Sequence, residues 1–365
     1  MKVLQIITSL GIGGAEKLVS DIAIRMYGMG IDCDVLVLNG LESHYLQNLD
    51  RNGVKVIKLS RGPLYSVYNP LLIFKIMPFL KCYDLIHVHL FPAQYWAIIA
   101  KWLSRVKIPI ITTEHNTTNR RWESIFFKAL DKRIYKTYDK VVCISKEIQA
   151  ILIVLLKEQE VSRFPIIENG IDLDLITQAH PYDKKKLIKD PTCESLIVNV
   201  AGFREQKDQD TLIRAMKLLP SDTHLALVGD GVRRESLEKL VQLENVESRV
   251  HFLGIRSDIP QILKTADIVT LSSHYEGLSL SSLEGMASGK PFIASRVNGL
   301  KELVEGVGLL FNPGDEYDFK DKVCMLRENL EFKTEIVNKC RLKSEEFGIN
   351  KTCQSYVSLY QKLLK

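Results

Sequence analysis

The sequence predicts two doubly wound α/β domains in tandem. Three observations carry that prediction. Short apolar runs alternate with stretches of helical period along almost all of the chain. The pattern breaks once, near Phe164–Asp190, and then restarts. The length of 365 residues, 46% of them hydrophobic, suits two cores of ordinary domain size better than one.

In the first half, Val3–Thr8 reads as a buried strand, followed by a glycine-rich turn and a helix from Ala15 to about Tyr27. Val35–Leu38, Val54–Leu59, Leu85–His89, Ile108–Thr112 and Val141–Ile144 repeat the strand signal, with room between them for crossover helices. Pro165, the Asn169-Gly170 turn and the polar stretch Gln178–Asp190 mark a linker. Strands resume at Leu196–Ala201, His224–Val228, Val250–Leu253, Ile268–Leu271, Pro291–Ala294 and Gly308–Phe311. Helices fall near Asp210–Leu218, Arg234–Glu244, Asp258–Thr265 and Leu280–Ser288, and an amphipathic helix at about Asn350–Leu364 closes the chain. Ligands of such sheets sit at the carboxyl ends of the strands, so the loops after strands are where chemistry is sought.

Composition narrows the classes. Charged residues are 25% and aromatics 8%, as in a globular protein. Seven cysteines, odd in number and without a CxxC spacing, argue against a disulfide scaffold or zinc site and for a reducing cytoplasm. The start MKVLQIITSL has no cleavage site, and no apolar run is long enough to span a bilayer. The net charge is +5, and residues 1–180 hold 22 Lys/Arg against 17 Asp/Glu, whereas 181–365 hold 27 of each. The basic first half suggests an anionic partner, and ordinary scatter is the equal alternative.

Five stretches carry candidate chemistry. Gly11-Ile12-Gly13-Gly14 opens the first helix, where glycines allow close approach and the helix N-terminus favours anions. It is not a dinucleotide fingerprint, since GxGxxG needs Gly where Glu16 stands, and a plain tight turn fits equally well. Gly202–Asp208 offers Arg204 and Lys207 to a leaving diphosphate, or is a solvated charged loop. Glu276-Gly277-Leu278-Ser279-Leu280 leads into a helix that carries Glu284; its amides suit phosphate, and two carboxylates two helical turns apart suit sugar and ribose hydroxyls. His115, in Thr113–Thr117, ends a strand where it could touch a sugar, although a lone histidine is more often structural. Arg120–Lys136 puts Trp122, Ile125, Phe126, Leu130 and Ile134 at helical spacing among six cations: a membrane-surface helix, or a helix docked on its own domain. The DxD pairs Asp32/Asp34 and Asp172/Asp174 read as structural, with no metal.

Taken in order, the motifs GIGGAEK, EHN, ENGID, REQKD, VGDG, FLGIRSDI and HYEGLSLSSLEGMASGKPFIAS resemble the GT4 family of retaining glycosyltransferases with the GT-B fold, over nearly the whole chain. The resemblance implies two Rossmann-like domains facing across a cleft: an acceptor-binding domain over 1–175, with the helix at about 350–365 packing back on it, and a donor-binding domain over 176–349. It implies that Gly13 and Gly14 approach the donor and that Arg204 and Lys207 bind its diphosphate. Gly229 belongs to the same site, Leu253 and Arg256 flank the base, and the Gly277, Leu278, Ser279 and Leu280 amides cap the phosphates. Glu284 would hold the ribose, Glu276 the transferred sugar, and His115 would lie beside the anomeric carbon. No cofactor or metal is expected. The implied partners are a UDP- or GDP-type nucleotide sugar, an oligosaccharide or lipid-linked acceptor, and an anionic membrane surface through Arg120–Lys136, with no nucleic acid. The place is the cytoplasm, at the inner face of the membrane. One departure stands out: Gly202 occupies the position where many members carry Arg. Three rivals remain, namely a GT-B sugar-nucleotide epimerase, an inactive partner subunit, and a nicotinamide oxidoreductase, which the missing GxGxxG weakens.

Overall fold

A computed structural model describes residues 1–11, 13–115 and 124–365, with the side chains of Ile125 and Phe126 outside the description. Ile12, Asn116 and the start of the basic stretch, Arg120–Trp122, therefore lie outside the described residues. The chain forms two compact units, Met1–Gly170 with Ile349–Lys365, and Ile171–Gly348.

The first unit holds a six-stranded parallel sheet: β1 (Lys2–Ser9), β2 (Asp32–Asn39), β3 (Val56–Lys58), β4 (Leu85–His89), β5 (Ile110–Glu114) and β6 (Lys140–Cys143), in the order β3-β2-β1-β4-β5-β6. These strands read as apolar runs because helices cover the sheet; Leu4, Ile6, Leu36, Ile86, Val88 and Val141 are buried. The chain returns from the second unit through the helix Ile349–Leu363, which packs against the helix Gly14–Gly28. Gly170 makes room for that return, since a Cβ there would lie 2.8 Å from Ile349 Cα. Thr352 Oγ1 donates to Glu168 O at 3.0 Å across the same join.

The second unit repeats the architecture with β7 (Ser195–Val200), β8 (Thr223–Val228), β9 (Val250–Gly254), β10 (Ile268–Leu271), β11 (Phe292–Ser295) and β12 (Leu309–Phe311), ordered β12-β11-β10-β7-β8-β9. Each sheet therefore reverses its strand order once, between β1 and β4 and between β7 and β10. Such switch points open a crevice at the carboxyl ends of the two flanking strands.

Two sequence expectations change. The boundaries fall at Gly170 and Gly348, before the expected 175 and 349, because Ile171 already hydrogen-bonds Phe347 O at 2.9 Å in the second unit. The stretch 178–190 is no free linker. It contains the helix Lys184–Ile188, capped by Asp183, and Lys184 reaches Asp267 Oδ2 at 2.6 Å.

Candidate functional site

In the second unit the loops after β7 and β10, the strands flanking the switch point, bring Lys207 and Glu276 together. Lys207 ends a 3-10 turn, Glu205–Lys207, and Ser272 Oγ holds its carbonyl at 2.9 Å. Asp208 follows in the left-handed region (φ +44°), and its carboxylate accepts from Thr211 Oγ1 at 2.7 Å. The turn is thus fixed from both sides. Lys207 Nζ bonds Glu276 Oε1, which also accepts from Ser273 Oγ at 2.5 Å. Glu276 and Glu284 are each only 7% exposed, and buried acids of this kind need partners of opposite charge or donor hydrogens. Glu284 lies on the helix Leu280–Ala287; Ser279 is that helix's N-cap residue and its side chain makes no cap bond, and Gly277 and Leu278 precede it in the loop.

Neighbouring loops close on this cluster because three glycines allow it. At Gly229 (φ +136°) a Cβ would sit 2.1 Å from Ala201 O. At Gly231 it would meet Phe203 O at 2.5 Å, and at Gly299 (φ +84°) Glu276 O at 2.4 Å. Arg204 is exposed beside Gly202. Leu253, next to the last residue of β9, is half-buried, and the bonds of Arg256 go to Asp258, one of them at 2.7 Å. The Arg256 guanidinium holds the Asp258 carboxyl down at about 2, and Tyr182 Oη donates to it at 2.8 Å.

In the first unit, Gly13 and Gly14 open the helix Gly14–Gly28 after β1, with Gly13 in extended backbone (φ −174°). His115 follows β5 and heads a buried chain of hydrogen bonds. Its Nε2 lies 3.2 Å from His89 Nδ1, and His89 Nε2 lies 2.7 Å from Gln5 Oε1. An amide oxygen only accepts, so with Gln5 in this orientation His89 carries its proton on Nε2 and accepts on Nδ1. His115 then donates from Nε2 and keeps a lone pair on Nδ1. Beyond Gln5, Nε2 donates to Tyr360 Oη (3.3 Å), Tyr360 donates to His87 Nδ1 (2.7 Å), and His87 Nε2 donates to Thr113 Oγ1 (2.8 Å). Tyr356 Oη lies 3.1 Å from Thr113 Oγ1. Burial lowers His115 to about 4 and pushes His87 and His89 well below the usual range, so all three rings are neutral.

The basic stretch Arg120–Lys136, read as either a membrane-surface helix or a helix docked on its own domain, is described from residue 124 on. In the helix Ile125–Thr137, Ile134 is buried and Leu130 packs against the core, while Arg133 lies over the Trp102 ring at 5.6 Å. Leu130 and Ile134 thus face their own domain, whereas Phe127 is exposed. Of the acidic pairs, Asp34 accepts from Tyr83 Oη at 2.6 Å and Asp172 caps a helix through Leu175 N at 3.1 Å. Among the described residues, Asp190, His224 and His251 have the ligand types of a cation site. Their bonds close among themselves, however. Thr192 donates to Asp190 Oδ1 (2.6 Å), so His224 Nε2 donates to Thr192 and its Nδ1 accepts from His251 at 2.9 Å.

Sequence reasoning missed Ser273, Gly299, Gln5, His87 and His89. The alternation His87-Val88-His89 puts both rings on one face of β4, which was the available signal.

Comparison with known proteins identifies the family and the fold. Residues 12–175 match the model of glycosyltransferase family 4, and residues 194–329 that of glycosyl transferases group 1. The chain is 27% identical over 363 residues to an uncharacterized glycosyltransferase of Methanocaldococcus jannaschii, covering 96% of this chain and 95% of that one. It is 31% identical over 238 residues to the Escherichia coli UDP-Gal:α-D-GlcNAc-diphosphoundecaprenol α-1,3-galactosyltransferase, covering 61% and 60%. Among solved structures, Anabaena HepE in complex with UDP-glucose superposes with a TM-score of 0.84 at 23% identity, covering 99% of this chain and 100% of that one. At that identity the likeness speaks to the fold, which is GT-B.

Proposed function

Because the chain belongs to the family 4, group 1 glycosyltransferases, we propose that it moves a sugar from a nucleoside diphosphate sugar to a glycan or lipid-linked acceptor, with retention of configuration, in surface polysaccharide synthesis. The observation that carries this reading is the Lys207–Glu276 pair at the switch point of the second sheet, beside the amides that open the helix of Glu284. A diphosphate needs cations and N–H donors, and this crevice offers Lys207, Arg204 and the Leu278–Leu280 amides. Glu284 takes the ribose hydroxyls and Glu276 the hydroxyls of the sugar. The donor's C1–O bond to phosphate breaks, and the acceptor oxygen bonds C1 on the same face. The departing phosphate oxygen takes the acceptor's proton. Side-chain and backbone donors carry the leaving charge, so the reaction needs no metal.

His115, neutral and partly exposed at the end of β5, offers its Nδ1 lone pair to a sugar hydroxyl. UDP is the favoured nucleotide, since HepE binds UDP-glucose and the Escherichia coli relative is named for UDP-Gal. The place of action is the cytoplasm, where nucleotide sugars are made. The first experiment is a thermal-shift screen against UDP, GDP, ADP, NAD and their sugars without metal. A ligand at 100 times its Kd stabilises by about 2.7 kcal/mol. Stabilisation by one nucleoside diphosphate, lost in Lys207→Ala and Glu284→Ala, supports the reading; stabilisation by NAD alone, or by none, refutes it.

A further inference from the structure

After β3 the first unit runs through a 3-10 turn, Leu64–Tyr68, the helix Leu72–Ile76 and a second 3-10 turn, Met77–Lys81. The inner face of this segment, Val67, Leu72, Ile73, Ile76 and Leu80, lies in the core. Its outer face is apolar as well. Leu64 is 65% exposed, Tyr65 75%, Tyr68 57%, Leu71 61% and Phe74 61%. Exposed apolar residues scattered singly are normal, but five large ones within eleven positions form a patch that calls for a cover.

The charge around the patch says what covers it. Residues 51–83 contain six Lys/Arg and no Asp or Glu, and Arg61, Lys75 and Lys81 are exposed. We infer that this face docks on the surface of an anionic phospholipid bilayer. Leu64, Leu71 and Phe74 enter the acyl boundary, Tyr65 and Tyr68 sit at head-group level, and the three cations pair with lipid phosphates. A second copy of the chain is the poorer cover, because a two-fold interface sets Arg61, Lys75 and Lys81 against their own images. The patch begins beyond the carboxyl end of β3, and Tyr68 lies 6.0 Å from the Phe91 ring beyond the carboxyl end of β4. It therefore borders the end of the sheet that carries Gly13, Gly14 and His115. If the acceptor is lipid-linked, as the transferase reading has it, docking brings its head group to that end; the docking itself stands without that reading.

The test is co-sedimentation of the full chain with phosphatidylglycerol-containing and with pure phosphatidylcholine vesicles. Binding should favour the anionic vesicles and weaken with salt. Tyr65→Ser/Leu71→Ser/Phe74→Ser and Lys75→Glu/Lys81→Glu should each lower partitioning at least about tenfold. UDP thermal shifts on the same samples report the second unit, so donor binding without vesicle binding sinks only this inference, and the converse sinks only the transferase reading. The docking proposal is overturned by equal binding to neutral vesicles or by no loss in either variant. A concentration-dependent dimer abolished by the triple substitution also overturns it, in favour of a second copy.

Discussion

Mild acid should destabilise the first unit. His87, His89 and His115 are held neutral in the fold by burial, with His115 at about 4 and the other two well below the usual range. In the unfolded chain each histidine titrates near 6.5. Stability is therefore full above about pH 6.5 and is lost as pH falls from there toward 4, because the unfolded chain takes up protons that the fold refuses. Each such histidine costs about 0.8 kcal/mol at pH 6 and about 1.4 at pH 5.5, or about 4 kcal/mol for the three together. The assay is urea denaturation followed by tryptophan emission. Trp96, Trp102 and Trp122 are the only tryptophans, and all belong to the first unit. His115→Gln should reduce the proton uptake from about three to about two. A urea midpoint that stays flat from pH 7.5 to 5.5 would refute the neutral network, as would a His115→Gln profile that matches the parent.

Gly229→Ala should cost the second unit about 2 to 4 kcal/mol and abolish UDP binding, since it adds a Cβ against Ala201 O at a φ that side chains avoid; circular dichroism melts and calorimetry check it. Gly202→Arg should fold normally, because a Cβ there meets nothing closer than 3.8 Å. It restores the cation common in the family and should tighten UDP about tenfold, roughly 1.4 kcal/mol, by titration calorimetry. Lys207→Ala removes the cation from the buried Glu276 carboxylate and leaves it the Ser273 hydroxyl. Adding Glu276→Gln should recover about 1 to 3 kcal/mol of the lost stability, and a strictly additive double variant would show that the two side chains are not coupled.

All twelve strands among the described residues were legible as apolar runs, because strands of a parallel sheet are covered on both faces and admit little else. The Lys207–Glu276 crevice was legible through its loops, since each follows a strand and opens a helix. The first unit's hydrogen-bond chain was not. It depends on Tyr360 meeting His87 across 273 positions of sequence, which no local period reports. The basic stretch Arg120–Lys136 left two readings open. Leu130 and Ile134 keep the spacing of a membrane helix and of a docked helix alike, and only packing separates the two. The patch at Leu64–Phe74 hid for the opposite reason, since apolar residues on the outer face look like more core. The short helix Lys184–Ile188 carries three lysines, and its anchor Asp267 lies far along the chain.

The return of the chain into its first unit sets an order on its birth. The ribosome releases residues 1–170 before any of the second unit, and Tyr356 and Tyr360 only after all of it. Until then His87 has no tyrosine at its Nδ1, Thr113 lacks the hydroxyl of Tyr356, and the flank of the helix Gly14–Gly28 stands bare. The nascent first unit must wait, half-assembled, while its neighbour is made, so a stalled or truncated message leaves an open sheet rather than a smaller finished domain.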